Sequence, residues 1–297
     1  MGEKYLFQVK SKSFVLGPRT WLMGVINVTP DSFYDGGIYL DAARAVERGL
    51  EIAAENADII DIGGESTRPG ANPVPAKEEI RRILPVIAGI REKTKALISV
   101  DTTKAEVAEA ALASGADIIN DISAGRFDSK MLPLAARTGA GIILMHMKGT
   151  PVTMQLSPHY KDVLGEITSF LEERVEAAES MGIRRERIIV DPGIGFGKNL
   201  EDNLTLINNL AALAELGRPV LVGISRKSFI GNILNLGPEE RLEGTIAAAV
   251  VSLLRGASLL RVHDLRAVKR AITVAETILS RGAKKPPGEG QRKTYVH

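Results

Sequence analysis

Side chains that a buried strand normally avoids stand at the carboxyl ends of short apolar runs in this chain. They are Asn27, the segment 63–66, Asp101, Asn120 with Asp121, His146, Asp191, the segment 225–227, and Arg261 with His263. Lys227 and Arg261 carry the strongest chemical message, because a cation ending an apolar strand needs an anionic partner. That partner is either a bound anion or, in a structural ion pair, one of the aspartates. Asp101 can cap the helix that follows, but Thr102 and Thr103 are better placed for that work, which frees Asp101 to point inward. Asn120 and Asp121 read equally well as turn formers. His146, set among apolar neighbours, reads as a hydrogen-bonded core histidine with no assigned chemistry.

Several familiar constellations are absent. The segment 191–198, DPGIGFGK, contains Gly-Lys, but Pro192 and Asn199 stand where a phosphate-binding P-loop needs Gly and Ser or Thr. No GxSxG or HExxH occurs, and the four histidines lack zinc-ligand spacing. With no cysteine there is no disulfide, thiolate nucleophile or Cys-ligated metal. A metal is therefore expected to be an oxygen-ligated Mg2+ shared with a phosphate. Two long segments, NVTPDSFYDGG and GGESTRPGANP, combine hinge glycines and prolines with Asp31, Phe33, Asp35 and the Ser66–Thr67–Arg68 cluster. They read as mobile substrate loops with stacking and anion-handling groups.

The elements that must position these groups alternate along the chain. Apolar runs at 21–28, 58–63, 97–102, 117–122, 141–147, 187–191, 219–224 and 258–262 are continuous rather than alternating, as parallel strands buried on both faces are. Amphipathic segments lie between them. Asp41 is expected to cap one whose Ala45, Val46, Gly49, Leu50 and Ala53 share a face, Thr103 and Glu106 suggest a capping box, and Pro238 begins another helix. The patterns GADII at Gly115 and NADII at Asn56 mark a repeated helix stop and strand start. Eight such units without a pause favour a closed (β/α)8 TIM barrel over an open doubly wound sheet, and place the polar strand ends at one mouth. Residues 5–16 read as a hairpin plugging the barrel floor, within one domain spanning 1–282. The tail 283–297 reads as disordered.

The 297 residues are 44% hydrophobic and 25% charged, with net charge +2, so no global field favours nucleic acid or membrane. No signal core or membrane-length apolar run is present, and a reducing cytoplasm fits the absence of cysteine.

NVTPDSF, GGESTRPG, SVDT, INDIS, LMHMKGTPVTMQ, DPGIGFGK, GISRKSFIG and RVHD, in this order from Trp21 to the last helix, resemble the dihydropteroate synthases. The resemblance implies that a pterin diphosphate is joined to 4-aminobenzoate in a homodimeric folate-biosynthesis enzyme. It assigns the pterin to Asp101, Asn120, Ile122, Met145, Asp191 and Lys227. Asn27, Thr67, Arg68, Arg261 and His263 would take the diphosphate, with Mg2+ on Asn27 and Asp35. Pro30, Phe33, Pro69, Phe196, Lys227 and Ser228 would hold the aminobenzoate, and Asp101, Lys227, Asp35 and Arg261 would carry the catalytic charges. The expected charge layout is acids at the pterin and cations at the phosphates. The alternative is the pterin-binding domain of a folate- and corrinoid-linked methyltransferase, which has no need of the diphosphate set or the loops; a more distant one is a non-catalytic binding protein.

Overall fold

The computed structural model describes residues 3–29, 37–67 and 70–282, with only the backbone of 37–41. Asp31, Pro30, Phe33, Asp35, Arg68, Pro69 and the tail 283–297 lie outside the described residues.

The apolar runs form eight parallel strands: β3 (Trp21–Asn27), β4 (Ile59–Gly63), β5 (Leu97–Asp101), β6 (Ile118–Asp121), β7 (Gly141–Met145), β8 (Ile188–Asp191), β9 (Leu221–Gly223) and β10 (Leu259–Val262). Their order is β8-β7-β6-β5-β4-β3-β10-β9. A single parallel bridge, Val190 to Val220, with Val190 N donating to Pro219 O at 3.1 Å, closes the ends into a TIM barrel. The strands are continuously apolar because both faces are buried. Ile60, Ile62, Ile98, Val100, Ile119 and Ile142 face outward into a core shared with the helices.

Around the barrel run α1 (Gly37–Ala54), α2 (Ala76–Lys93), α3 (Ala105–Ala113), α4 (Met131–Thr138), α5 (Val163–Ser180), α6 (Leu200–Asn208), α7 (Leu210–Ala214), α8 (Ser228–Leu234), α9 (Leu242–Leu254) and α10 (Leu265–Gly282). Asn56 and Gly115, the two repeated stops, both take left-handed φ, 58° and 114°. Two expected caps are replaced. The helix α1 already begins at Gly37, which puts Asp41 inside it rather than before it. No Thr103–Glu106 box forms, because Asp128 from the next loop accepts from Ala105 N at 2.8 Å and caps α3 instead. Pro238 opens a 3-10 turn, 238–240, just ahead of α9.

The hairpin β1 (Tyr5–Val9) and β2 (Lys12–Leu16) pairs Tyr5 with Leu16 and covers the floor. Phe7, Val9 and Leu16 pack against Trp21, Met23, Ile59, Leu97, Ile118, Ile143, Ile189, Leu221 and Leu259, so every barrel strand contributes to this layer. Gly141 makes room: a Cβ there would lie 2.8 Å from the Phe7 ring.

Phe7→Ala should therefore cost about 3–5 kcal/mol of stability, the usual loss for a fully buried aromatic. Urea denaturation checks this. A cost below about 1 kcal/mol would mean that the hairpin is an ornament rather than part of the core.

Candidate active site

Strand geometry dictates what lies above the floor. Side chains two residues apart share a face, so each inward floor residue is followed by another inward residue nearer the mouth. Ile59 leads to Asp61, Leu97 to Ser99 and Asp101, Ile118 to Asn120, Ile189 to Asp191, and Leu259 to Arg261. Along β3, Met23 leads through Val25 to Asn27, which is half-buried at the rim. An apolar disc thus carries a polar layer.

Arg261 organises that layer. Its Nε donates to Asp61 Oδ2 at 2.7 Å and its Nη2 to Asp101 Oδ2 at 2.7 Å. Asp61 Oδ2 also accepts from Asn120 Nδ2 at 3.2 Å. Burial opposes the charge on Arg261, but the two carboxylates outweigh it and raise its pKa above the ordinary arginine value. Asp101 is pushed up to about 7, by burial first, with Arg261 opposing and Asp61 adding to the rise. One cation serves two acids, so one carboxyl holds its proton more tightly. Arg261 sits beside two of the acids rather than apart from them, because buried carboxylates without a cation are costly. Asp61, wholly buried in the middle of an apolar run, was not among the sequence candidates. Its signal is its register, two residues past a floor isoleucine.

Asp191 ends β8 and accepts from Gly193 N at 2.7 Å. Gly193 has φ 68°, and a Cβ there would lie 1.9 Å from His146 O, so only glycine permits this turn. Burial raises the Asp191 pKa to about 6, against the Gly193 hydrogen bond and Lys227. Asp121, by contrast, turns away to accept from Ser123 N, Ser123 Oγ and Gly125 N, and is a turn former.

Behind Asp191 lies a second group missed in the sequence. Lys198 is buried, with Nζ donating to Phe196 O at 3.0 Å and meeting His146 Nδ1 at 3.0 Å. Burial lowers its pKa to about 7, with Asp191 opposing. His146 is driven far below its ordinary value by burial and by Lys198, and its ring meets Phe170 edge-on at 4.8 Å. It is a core histidine accepting a hydrogen bond. The sequence signal for Lys198 was the same DPGIGFGK run that fails as a P-loop.

The mouth has an apolar side as well. Ile122, Met145, Met147 and Met154 form a buried cluster against which Phe196 packs. Lys227, at the start of α8, lies 4.1 Å from the Phe196 ring centre. Burial and then the nearby Arg261 lower its pKa to about 8. Ser228 is exposed beside it, Thr67 is half-buried, and His263 reaches Ser225 Oγ through Nδ1 at 3.1 Å. Among the described residues, no group of three or more His, Cys, Asp or Glu could hold a metal by itself.

The arrangement has known counterparts. Residues 23–263 match the family model described as "Pterin binding enzyme". The chain is 47% identical over 266 residues to a dihydropteroate synthase of Synechocystis sp., covering 89% of this chain and 92% of that one. It is 46% identical over 259 residues to the Escherichia coli (strain K12) enzyme of the same name, covering 87% and 92%. A solved Xanthomonas albilineans dihydropteroate synthase with 4-aminobenzoic acid superposes with TM-score 0.87 at 45% identity, covering 94% of this chain and 99% of that one. Another from the same organism, in complex with 7,8-dihydropteroate, gives 0.81 at 44%, covering 90% and 96%.

The raised pKa of Asp191 makes a stability prediction. Between its unfolded value of 3.8 and about 6 the folded chain binds the proton more tightly, so the contribution is complete below about 4 and is lost as pH rises through 6. Asp191→Asn should remove this slope, gaining on the wild type by about 3 kcal/mol between pH 4 and 7. Urea midpoints at the two pH values test it; parallel pH dependence in both proteins would refute the burial argument.

Proposed function

Because the chain belongs to the dihydropteroate synthases, we propose that it condenses (7,8-dihydropterin-6-yl)methyl diphosphate with 4-aminobenzoate, giving 7,8-dihydropteroate and pyrophosphate. The observation that carries this reading is the inward polar layer above an apolar floor, with Asp101, Asn120 and Asp191 at one mouth. A pterin presents an amide beside a guanidine-like edge, and carboxylates accept parallel N–H bonds from such an edge. Asp191 takes that edge, Asn120 and Asp101 complete the set, Ile122 and Met145 support the ring, and Lys227 donates to its carbonyl side.

Asn27, Thr67, Arg68, Arg261 and His263 hold the diphosphate. With Nε and Nη2 of Arg261 on carboxylates, its Nη1 has no hydrogen-bond partner among the described residues and can take an anion, so the ion pairs orient the guanidinium rather than withdraw it. Asn27 offers an amide oxygen and Asp35 a carboxylate, which suits a Mg2+ completed by the diphosphate, since magnesium sites commonly combine few protein oxygens with phosphate and water. When bound, the ion would neutralise charge on the leaving group.

In the reaction the methylene C–O bond breaks with its electron pair leaving on pyrophosphate, and the amine nitrogen forms the new C–N bond and sheds a proton. Positive charge that develops on the methylene carbon spreads into the pterin, where Asp191 and Asp101 stabilise it. Arg261, with His263, stabilises the departing anion. Pro30, Phe33, Pro69, Phe196, Lys227 and Ser228 place the aminobenzoate and exclude water, which would otherwise capture the carbon. Sulfonamides, with the aminobenzoate's shape, would compete there. Exposed Val251 and Leu254 on α9, beside Val274 and Ile278 on α10, suit a homodimer interface. A cytoplasmic location agrees with the absence of cysteine and of any described helix long and apolar enough to cross a membrane.

Pyrophosphate should be released only when pterin diphosphate, Mg2+ and 4-aminobenzoate are all present. Binding of the pterin without release would favour the methyltransferase module instead. Asp191→Asn should weaken pterin binding by about 1–3 kcal/mol in calorimetry, since an amide N–H would then face a donor. The pH profile of kcat/KM for the pterin should fall below about 7, as Asp101 and then, near 6, Asp191 take up protons, and above about 8, where Lys227 loses one. A flat profile across both limits would remove these residues from the pterin contact.

A further inference from the structure

The turn after β9 holds a non-glycine residue in a conformation that L-residues disfavour. Arg226 has φ 57° and is nevertheless fixed at every polar group. Its backbone N donates to Thr245 Oγ1 at 3.0 Å, and its carbonyl accepts from Arg241 Nη1 at 3.1 Å. Its Nε and Nη2 form a two-pronged pair with Asp264, both at 2.9 Å, and Nη1 donates to Glu239 at 2.7 Å. The next residue, Lys227, returns to extended backbone, φ −64° and ψ 156°, and turns over the Phe196 ring.

The preceding residue is tied in parallel. Ser225 Oγ accepts from His263 N at 3.2 Å, so two adjacent residues of the β9–α8 turn are stitched to two adjacent residues after β10. One side of this stitch carries Lys227 and Ser228, the other Arg261 and His263. A planar guanidinium gripping both carboxylate oxygens fixes orientation as well as distance, which a single contact does not.

We propose that Arg226 and Asp264, neither of which touches a substrate, form a positioning clamp that sets Lys227 in the mouth and holds the aminobenzoate half of the site in register with the leaving-group half. The clamp rests on the functional reading above for what the two halves bind. Its effect on Lys227 does not. Strain at Arg226 is held in place by the surrounding bonds, and the chain direction it imposes is what brings Lys227 inward beside Arg261.

Arg226→Gly tests this cleanly, because glycine accepts the same φ and the turn survives without the fork. Asp264→Asn, the double variant and the conservative Arg226→Lys accompany it, with thermal melting to confirm folding. Breaking the clamp should raise KM for 4-aminobenzoate at least tenfold, and the double variant should be no worse than the weaker single one. The alkaline limb of kcat/KM, near 8 in the wild type, should move toward the ordinary lysine value as Lys227 gains solvent, with Arg226→Lys in between. The pH dependence of Lys227 acylation, followed on its peptide by mass spectrometry, should shift in the same direction and needs no turnover. Folded variants whose KM and Lys227 titration match the wild type, or whose single effects add fully, would overturn the clamp. If the wild type releases no pyrophosphate, the functional reading fails, while the clamp stands or falls on the labelling alone.

Discussion

A single guanidinium stands inside the barrel between two carboxylates. Arg261 links β10 to β4 and β5 through Asp61 and Asp101, and Asp61 passes the connection to Asn120 on β6. Removing the cation would leave carboxylates buried above hydrocarbon, and removing either acid would unbalance the rest; such networks are costly when half-satisfied. The polar layer therefore behaves as a unit, and its members cannot be separated into a pterin set and a phosphate set by sign alone.

The layer can exist because of what lies below it. The hairpin seals the end of the barrel with Phe7, Val9 and Leu16, so the inward charges face solvent from one side only. That asymmetry raises the pKa of Asp191 and lowers those of Lys198 and Lys227 toward neutrality. Groups poised near neutral pH are what acid–base and charge-stabilising chemistry needs. Here the shifts follow from geometry: a sealed floor, a period of two along each strand, and one open rim.

Much of this was legible in the residues. Eight apolar runs, the left-handed stops at Asn56 and Gly115, and the polar strand ends predicted the barrel and its mouth, and the structure has them. What eluded sequence reasoning was mid-strand or tertiary in origin. Asp61 sits inside a run rather than at its end, and only the register against the floor residues shows that it points inward. Lys198 is recognisable only once His146 and the Phe196 carbonyl fold around it. The capping box at Thr103 failed because Asp128, twenty-odd residues away, was the better acceptor. Of the two partners that its sequence allowed, a bound anion or an aspartate, Arg261 shows the second, pairing with Asp61 and Asp101 through part of its donor fork.

The closure of the barrel has one further implication. Strands β8 and β9 meet through a single bridge, whereas the other neighbours share ladders of several residues. Asp191 ends the strand on one bank of this seam, and Lys227 follows the strand on the other. A molecule that touches both is therefore a brace across the weakest joint of the hoop. Occupancy would stiffen the cylinder where its own hydrogen bonds are fewest, and the empty barrel would breathe first along that line. A ligand reaching from Asp191 to Lys227 would thus complete part of the cylinder's circumference.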